Sequence, residues 1–249
     1  MTSIIVKKNK AIDLSVPEFV CDNNPIGENL NNYDMLKHLN AYSFDVIIGK
    51  PGSGKTSLLV GFLTCKGENK IYRKCFNNVL VVMPTVSRNS LKKNIFEDHP
   101  DEKLYDELSL ESINDIYQKL KTYSEKKGNT LLILDDVGAS LKDNSIQKIL
   151  KTIIYNRRHL KCKIVMLVQS YKSSPLDIRK LVSNIFMFKP SKMEFETLFH
   201  ELFEQYKDLT IEIMKLVFTE PHKYLMLNVD TQKMYNGFDE IIINDDEDD

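Results

Sequence analysis

An α/β fold, built on a mostly parallel central sheet with helices on both faces and a C-terminal β-hairpin, is predicted by three observations. Short apolar or β-branched runs alternate with segments of helical periodicity along most of the chain. Leu131-Leu-Ile-Leu134 lacks the in-out alternation of a half-exposed strand and reads as a parallel strand covered on both sides. A glycine-rich segment lies between the first apolar run and the first helical one, and this is the setting of a phosphate-binding loop.

The elements run in order along the chain. Residues 44–48 form an apolar strand ending at Gly49, and residues 55–64 a helix carrying Leu58, Leu59 and Phe62. Strand 79–83 is rich in valine and stops before Pro84. Ile113, Ile116, Tyr117 and Leu120 keep helical spacing through 109–126, and Gly128-Asn129 is a stop signal. Strand 130–134 comes next. Ile146, Ile149, Leu150, Ile153 and Ile154 then mark an amphipathic helix over 145–158. Strands 163–168 and 185–188 come after it, the second closing at Pro190, and Ser191 with Glu194 forms a capping-box pattern that opens a helix. After a helix near 208–218, residues 223–229 and 234–243 read as a hairpin. The expected organisation is an N-terminal extension packed on the core (1–40), one nucleotide-handling domain (41–243) and an acidic, disordered tail (244–249).

Composition excludes little. Hydrophobic residues make up 42% and charged residues 28%, ordinary values for a globular protein, and the formal charge of −1 names no partner. That near-neutrality conceals an asymmetry, because Asp245 to Asp249 are all acidic and the rest of the chain is net positive. Cys21, Cys65, Cys75 and Cys162 show neither C-x-x-C pairing nor zinc-ligand spacing, which points to a reducing compartment. No apolar run approaches the roughly 18 residues of a membrane span, so no integral membrane segment is expected.

The chemistry concentrates at predicted strand ends, where open α/β sheets bind ligands. Gly49-Lys50-Pro51-Gly52-Ser53-Gly54-Lys55-Thr56 satisfies G-x-x-x-x-G-K-[ST] between a strand and a helix, with Ser57 next on the helix. The loop amides and the positive end of the helix would cradle the phosphates of ATP. Lys55 would reach the β- and γ-phosphates, and the Thr56 hydroxyl would ligate Mg2+. Leu131-Leu-Ile-Leu-Asp135-Asp136 delivers two carboxylates to a strand end, as a Walker B segment does. Asp135 would hold Mg2+ through water, and Asp136 would polarise the attacking water. Gln169 ends the strand 163–168, where an amide could sense the γ-phosphate; a polar strand end in a loop is the plainer reading. Arg157 and Arg158, at the end of helix 145–158, are candidates for an arginine finger acting on a neighbouring subunit. Favourable placement of cations at a helix C-terminus is the plainer alternative there.

Taken together, Gly49–Thr56, Leu131–Asp136, Asn156-Arg-Arg-His159, Gln169 and Ser174-Pro-Leu-Asp-Ile-Arg179 resemble the DNA-packaging ATPases of large DNA viruses. These are the poxvirus-type members of the FtsK/HerA superfamily of P-loop motors, and the resemblance spans about residues 42–243. It implies a sensor role for Gln169, a finger acting in trans, with the Arg-His pairing favouring Arg158, and a homo-oligomeric ring. It further implies double-stranded DNA held non-specifically by its phosphates, capsid or portal-vertex partners, and residence in the host cytoplasm or virion. Lys92, Lys93, Lys161 and Lys163 are candidate DNA contacts. Asp135-Asp136 departs from the Asp-Glu of many cellular relatives.

Three alternatives share the loop. A GTP-dependent switch would also use Asp135-Asp-Val-Gly138, but no Asn-Lys-x-Asp comes after it to read guanine. A small-molecule kinase would need an arginine-bearing lid, for which there is no suitable insertion. A cellular HerA-like pump would carry an N-terminal barrel, for which forty residues are short.

Overall fold

A computed structural model of the chain describes residues 34–66, 70–89 and 94–243. The strands are β1 (Phe44–Ile48), β2 (Asn78–Val82), β3 (Leu104–Tyr105), β4 (Thr130–Asp135), β5 (Cys162–Val168), β6 (Asn184–Phe188), β7 (Tyr224–Asn228), β8 (Lys233–Asn236) and β9 (Asp239–Ile241). The helices are α1 (Lys55–Thr64), α2 (Thr85–Asn89), α3 (Leu110–Glu125), α4 (Asn144–Tyr155), α5 (Leu176–Arg179), α6 (Lys192–Leu202) and α7 (Thr210–Val217). All nine strands join one sheet in the order β3-β2-β4-β5-β1-β6-β7-β8-β9. The pairings from β3 to β6 are parallel and those from β6 to β9 antiparallel.

The period of two along each strand sorts the core into two layers. Val46, Leu132, Leu134, Ile164, Met166 and Ile185 face one way and pack with residues of α3, α4, α6 and α7. Ile47, Leu131, Ile133, Val165, Leu167 and Phe186 face the other, against Leu59 and Phe62 of α1 and against Met35, Leu36 and Leu39 of the segment before β1. Burial on both faces explains why the central strands read as unbroken apolar runs. Among the described residues no helix is long and apolar enough to cross a membrane.

Three expectations about the elements need correction. The helix expected over 145–158 begins at Asn144, where the Asp143 side chain accepts from the backbone N–H groups of Ser145 and Ile146, and it ends at Tyr155. Arg157 and Arg158 therefore lie in the turn before β5 and not on the helix. The single return strand expected over 234–243 is two strands, parted at Gly237, whose φ of 65° favours glycine. At α6 only half of the capping box forms: Ser191 accepts from the Glu194 N–H, while the Glu194 carboxylate accepts from the Tyr171 N–H instead. Lys92, Lys93, most of the expected N-terminal extension and the tail 244–249 lie outside the described residues.

Lys163 is also corrected, because it cannot meet DNA. It is 0% exposed, and its ammonium lies 2.6 Å from the Asp45 carboxylate. The same ammonium donates to the Asn40 carbonyl at 3.1 Å and to the Ser43 hydroxyl. Asp45 also accepts from the amide of Asn184 at 2.8 Å, and the Asn184 oxygen accepts from Asn228 at 2.8 Å. Burial pulls the Lys163 pKa down while Asp45 opposes the shift, so the pair must stay together to remain charged. Lys163→Met should lower stability by about 3–5 kcal/mol by leaving Asp45 buried without its counter-ion. Urea denaturation checks this, and a loss under about 1 kcal/mol would contradict it.

Candidate functional site

Parallel strands end together, so the carboxyl edge of the sheet gathers the segments that leave β1, β4 and β5. Strand β5 lies between the other two. Gly49 donates its N–H to the Val168 carbonyl at 3.1 Å, which ties the start of the glycine-rich loop to the residue before Gln169. Asp135 is in register with Leu167 across β4 and β5. Loop, carboxylates and amide are thereby neighbours.

The loop is strongly curled. Gly52 and Gly54 have φ of 75° and 110°, backbone conformations that other residues adopt only with strain. Gly49 is buried, and a methyl group there would lie 2.4 Å from Ser53 Oγ and 2.9 Å from Phe188 Cβ. Ser53 Oγ is itself buried, with no hydrogen-bond partner among the described residues. Helix α1 opens at Lys55, so its unpaired amides and positive dipole end face the loop. The Lys55 ammonium donates to the carbonyls of Gly49 at 2.6 Å and Lys50 at 3.2 Å.

A cleft of about 310 Å³ joins these groups, with Gly52, Lys55, Thr56, Asp135, Asp136 and Gln169 among its walls. Asp135 is 7% exposed; burial pushes its carboxyl pKa up to about 6, with Lys55 opposing and the Asp136 charge adding. Burial lowers the Lys55 pKa, and Asp135 and Asp136 pull it back up. A cation entering between these carboxylates would therefore be favoured by the charge already gathered there. Asp136 is exposed, has φ of 55°, and accepts a 3.1 Å hydrogen bond from the Gln169 amide. A left-handed aspartate at a strand end is strained, and such residues cluster at functional sites. The structure thus brings together Gly49–Thr56, Asp135, Asp136 and Gln169.

Arg157 and Arg158 are not part of this cluster. They precede β5 at the amino edge, separated from Gln169 by the length of that strand, roughly 20 Å. The Arg157 guanidinium donates to the carbonyls of Tyr42 at 2.8 Å and Ile154 at 3.0 Å, whereas Arg158 is exposed. Residues that the sequence did not flag also line the site region. Ser87 of α2 reaches the 310 Å³ cleft, and Phe188, His222 and Tyr224 stand on the other flank of the loop. Only Phe188, at the carboxyl end of a predicted parallel strand, carried a usable signal.

The chain is similar to known proteins in sequence and in fold. The family described as Poxvirus A32 protein matches residues 32–249. A protein of Frog virus 3 (isolate Goorha), described as "Uncharacterized protein 015R", is 27% identical over 154 residues, covering 60% of this chain. The chain spans 45% of that relative's length. Among solved structures, B204, the DNA-packaging ATPase from Sulfolobus Turreted Icosahedral Virus, superposes with a TM-score of 0.58 at 15% identity, covering 77% of this chain and 95% of that one. The genome packaging NTPase B204 from Sulfolobus turreted icosahedral virus 2, in complex with ATP-gammaS, gives 0.53 at 15% identity, covering 77% and 94%. At these identities the likeness is one of fold: an α/β P-loop fold with added antiparallel strands.

Lys55→Ala should abolish ATP binding while leaving the circular dichroism spectrum unchanged, because α1 tolerates alanine at its first position. Equilibrium binding measures this, and wild-type affinity would remove Lys55 from the phosphate site.

Proposed function

Because the chain belongs to the Poxvirus A32 protein family, we propose that it is an ATPase that drives double-stranded DNA into a viral capsid. The observation that carries this reading is the single cleft walled by the loop, both carboxylates and Gln169. A triphosphate lying on Gly49–Thr56, with Ser57 next on the helix, has its terminal phosphate directed toward Asp136 and Gln169.

Each side chain then has a role. Lys55 leaves the loop carbonyls and neutralises the β- and γ-phosphates. Thr56 and Asp135 offer oxygen ligands only, two at most, which suits an ion that shares its shell with phosphates and water, namely Mg2+. When bound, Mg2+ supplies charge neutralisation on the phosphates. Asp136 accepts a proton from the attacking water. Gln169 donates to Asp136, and the second N–H of the same amide group can meet a γ-phosphate oxygen, so it can report whether that phosphate is present.

Hydrolysis at subunit interfaces is the consequence of the arginine positions. Neither Arg157 nor Arg158 can cross the sheet to its own cleft, so a finger from this turn acts on a neighbour in a homo-oligomeric ring. Arg158 is the better candidate, because its side chain is exposed while that of Arg157 is half-buried against its own subunit. DNA is gripped through its phosphates, without base reading, and Lys161, half-exposed beside Arg158, is one candidate contact. Capsid or portal-vertex components recruit the ring, in the host cytoplasm and the assembling virion.

Long duplex DNA should stimulate ATP turnover, and the stimulation should fall steeply with salt. Turnover indifferent to DNA would favour a kinase or switch. Asp136→Asn should retain ATP affinity and lose at least about 100-fold in turnover; undiminished turnover would remove Asp136 as the base. Mixing Arg158→Ala subunits with Asp136→Asn subunits should restore part of the lost hydrolysis, since some interfaces then pair an intact arginine with an intact carboxylate. No recovery at any ratio, with assembly confirmed, would contradict action in trans.

A further inference from the structure

On the other flank of the loop lies a second and larger cleft, of about 610 Å³, whose walls include neither Asp135 nor Asp136. Gly54, Thr56, Ser57, Phe188, His222 and Tyr224 are among its walls. Topology delivers the last three. Strand β7 runs antiparallel to β6, with Tyr224 paired to Phe188, so the first residue of β7 emerges at the same edge as the loop. The two rings stand 5.7 Å apart at 53°, forming an aromatic corner. Burial holds the Tyr224 hydroxyl pKa at about 12, so both rings are neutral.

His222 joins this corner to the loop. Its backbone is left-handed, with φ of 66°, although its side chain is exposed, and its Nδ1 lies 2.9 Å from the Ser53 carbonyl oxygen. A carbonyl only accepts, so Nδ1 donates to it, and in that tautomer Nε2 is the ring's acceptor. An exposed histidine held in a strained conformation against a phosphate loop has no evident packing reason to be there.

Lys55 and Thr56 belong to both clefts. With the γ-phosphate facing Asp136 and Gln169, the other end of the polyphosphate is directed into the second cleft. What that end carries is a ribose and a flat heteroaromatic base, with apolar faces and a polar edge. Aromatic walls with one fixed acceptor match that chemistry. We propose that Phe188, His222 and Tyr224 form the nucleobase site, in which Tyr224 and Phe188 pack on the base and His222 Nε2 favours an amino-bearing edge, hence adenine over guanine. This inference rests on the reading of Gly49–Thr56 as a triphosphate cradle.

The test measures affinities of the full chain for ATP, GTP and inorganic tripolyphosphate by calorimetry. The wild type should bind ATP at least about 10-fold more tightly than tripolyphosphate. Tyr224→Leu, which keeps an apolar side chain on the strand, should erase most of that preference while leaving tripolyphosphate affinity within about twofold. His222→Ala, at an exposed side chain, should bring ATP and GTP affinities together. If both variants keep the wild-type ratios, the base site is elsewhere; should Tyr224→Leu unfold, the His222→Ala ratio decides alone. A wild type that binds neither ATP nor tripolyphosphate would overturn the cradle itself, and the nucleobase site with it.

Discussion

Everything at the carboxyl edge depends on where β5 sits. Between β1 and β4, it accepts Gly49 through the Val168 carbonyl on one side and aligns Leu167 with Asp135 on the other. Backbone hydrogen bonds, which no side-chain substitution removes, therefore set the separation between phosphate loop and carboxylates. Gln169, the next residue of that strand's chain, emerges between them and meets Asp136. A site built this way is rigid where charge must be placed accurately, and it leaves only side-chain rotations to respond to the nucleotide.

The opposite edge solves a different problem. Lys163 and Asp45 bury a full ion pair on the face covered by α1 and by the segment before β1, a costly arrangement unless every partner is supplied. The carbonyl of Asn40, the hydroxyl of Ser43, and Asn184 linked to Asn228 supply them. Asn184 also donates to the His38 carbonyl at 2.9 Å, and Arg157 donates to the Tyr42 carbonyl. The polar network thus fastens residues 38–43 to β1, β5 and β6. In the proposed ring this is the edge that would carry Arg158, and a firm mounting there is what an arginine acting across an interface would require.

How much of this was legible in the sequence varied with the physics involved. Strands β1, β4, β5 and β6 were foreseen within a residue or so, because burial on both faces forces unbroken apolar runs. That the Gly49–Thr56 loop and Asp135-Asp136 would be neighbours was legible because both leave the carboxyl ends of parallel strands. The end of α4 was missed: Tyr155-Asn-Arg-Arg offers neither glycine nor proline, and the turn is closed instead by the Cys162 N–H on the Arg157 carbonyl and the Leu160 N–H on the Asn156 carbonyl. Lys163 looked like a strand-edge cation because its counter-ion lies on β1, far away in sequence. Of the aromatic flank only Phe188 carried a signal, since it and Tyr224 meet through the antiparallel register of β6 and β7.

The most direct test of the central claim is a crystal structure of the chain with Mg2+ and a non-hydrolysable ATP analogue. The expected result is a single nucleotide on Gly49–Thr56, with the metal ion bridging its phosphates to Thr56 and, directly or through water, to Asp135. A nucleotide seated away from that loop, or a metal ion that meets neither residue, would contradict it.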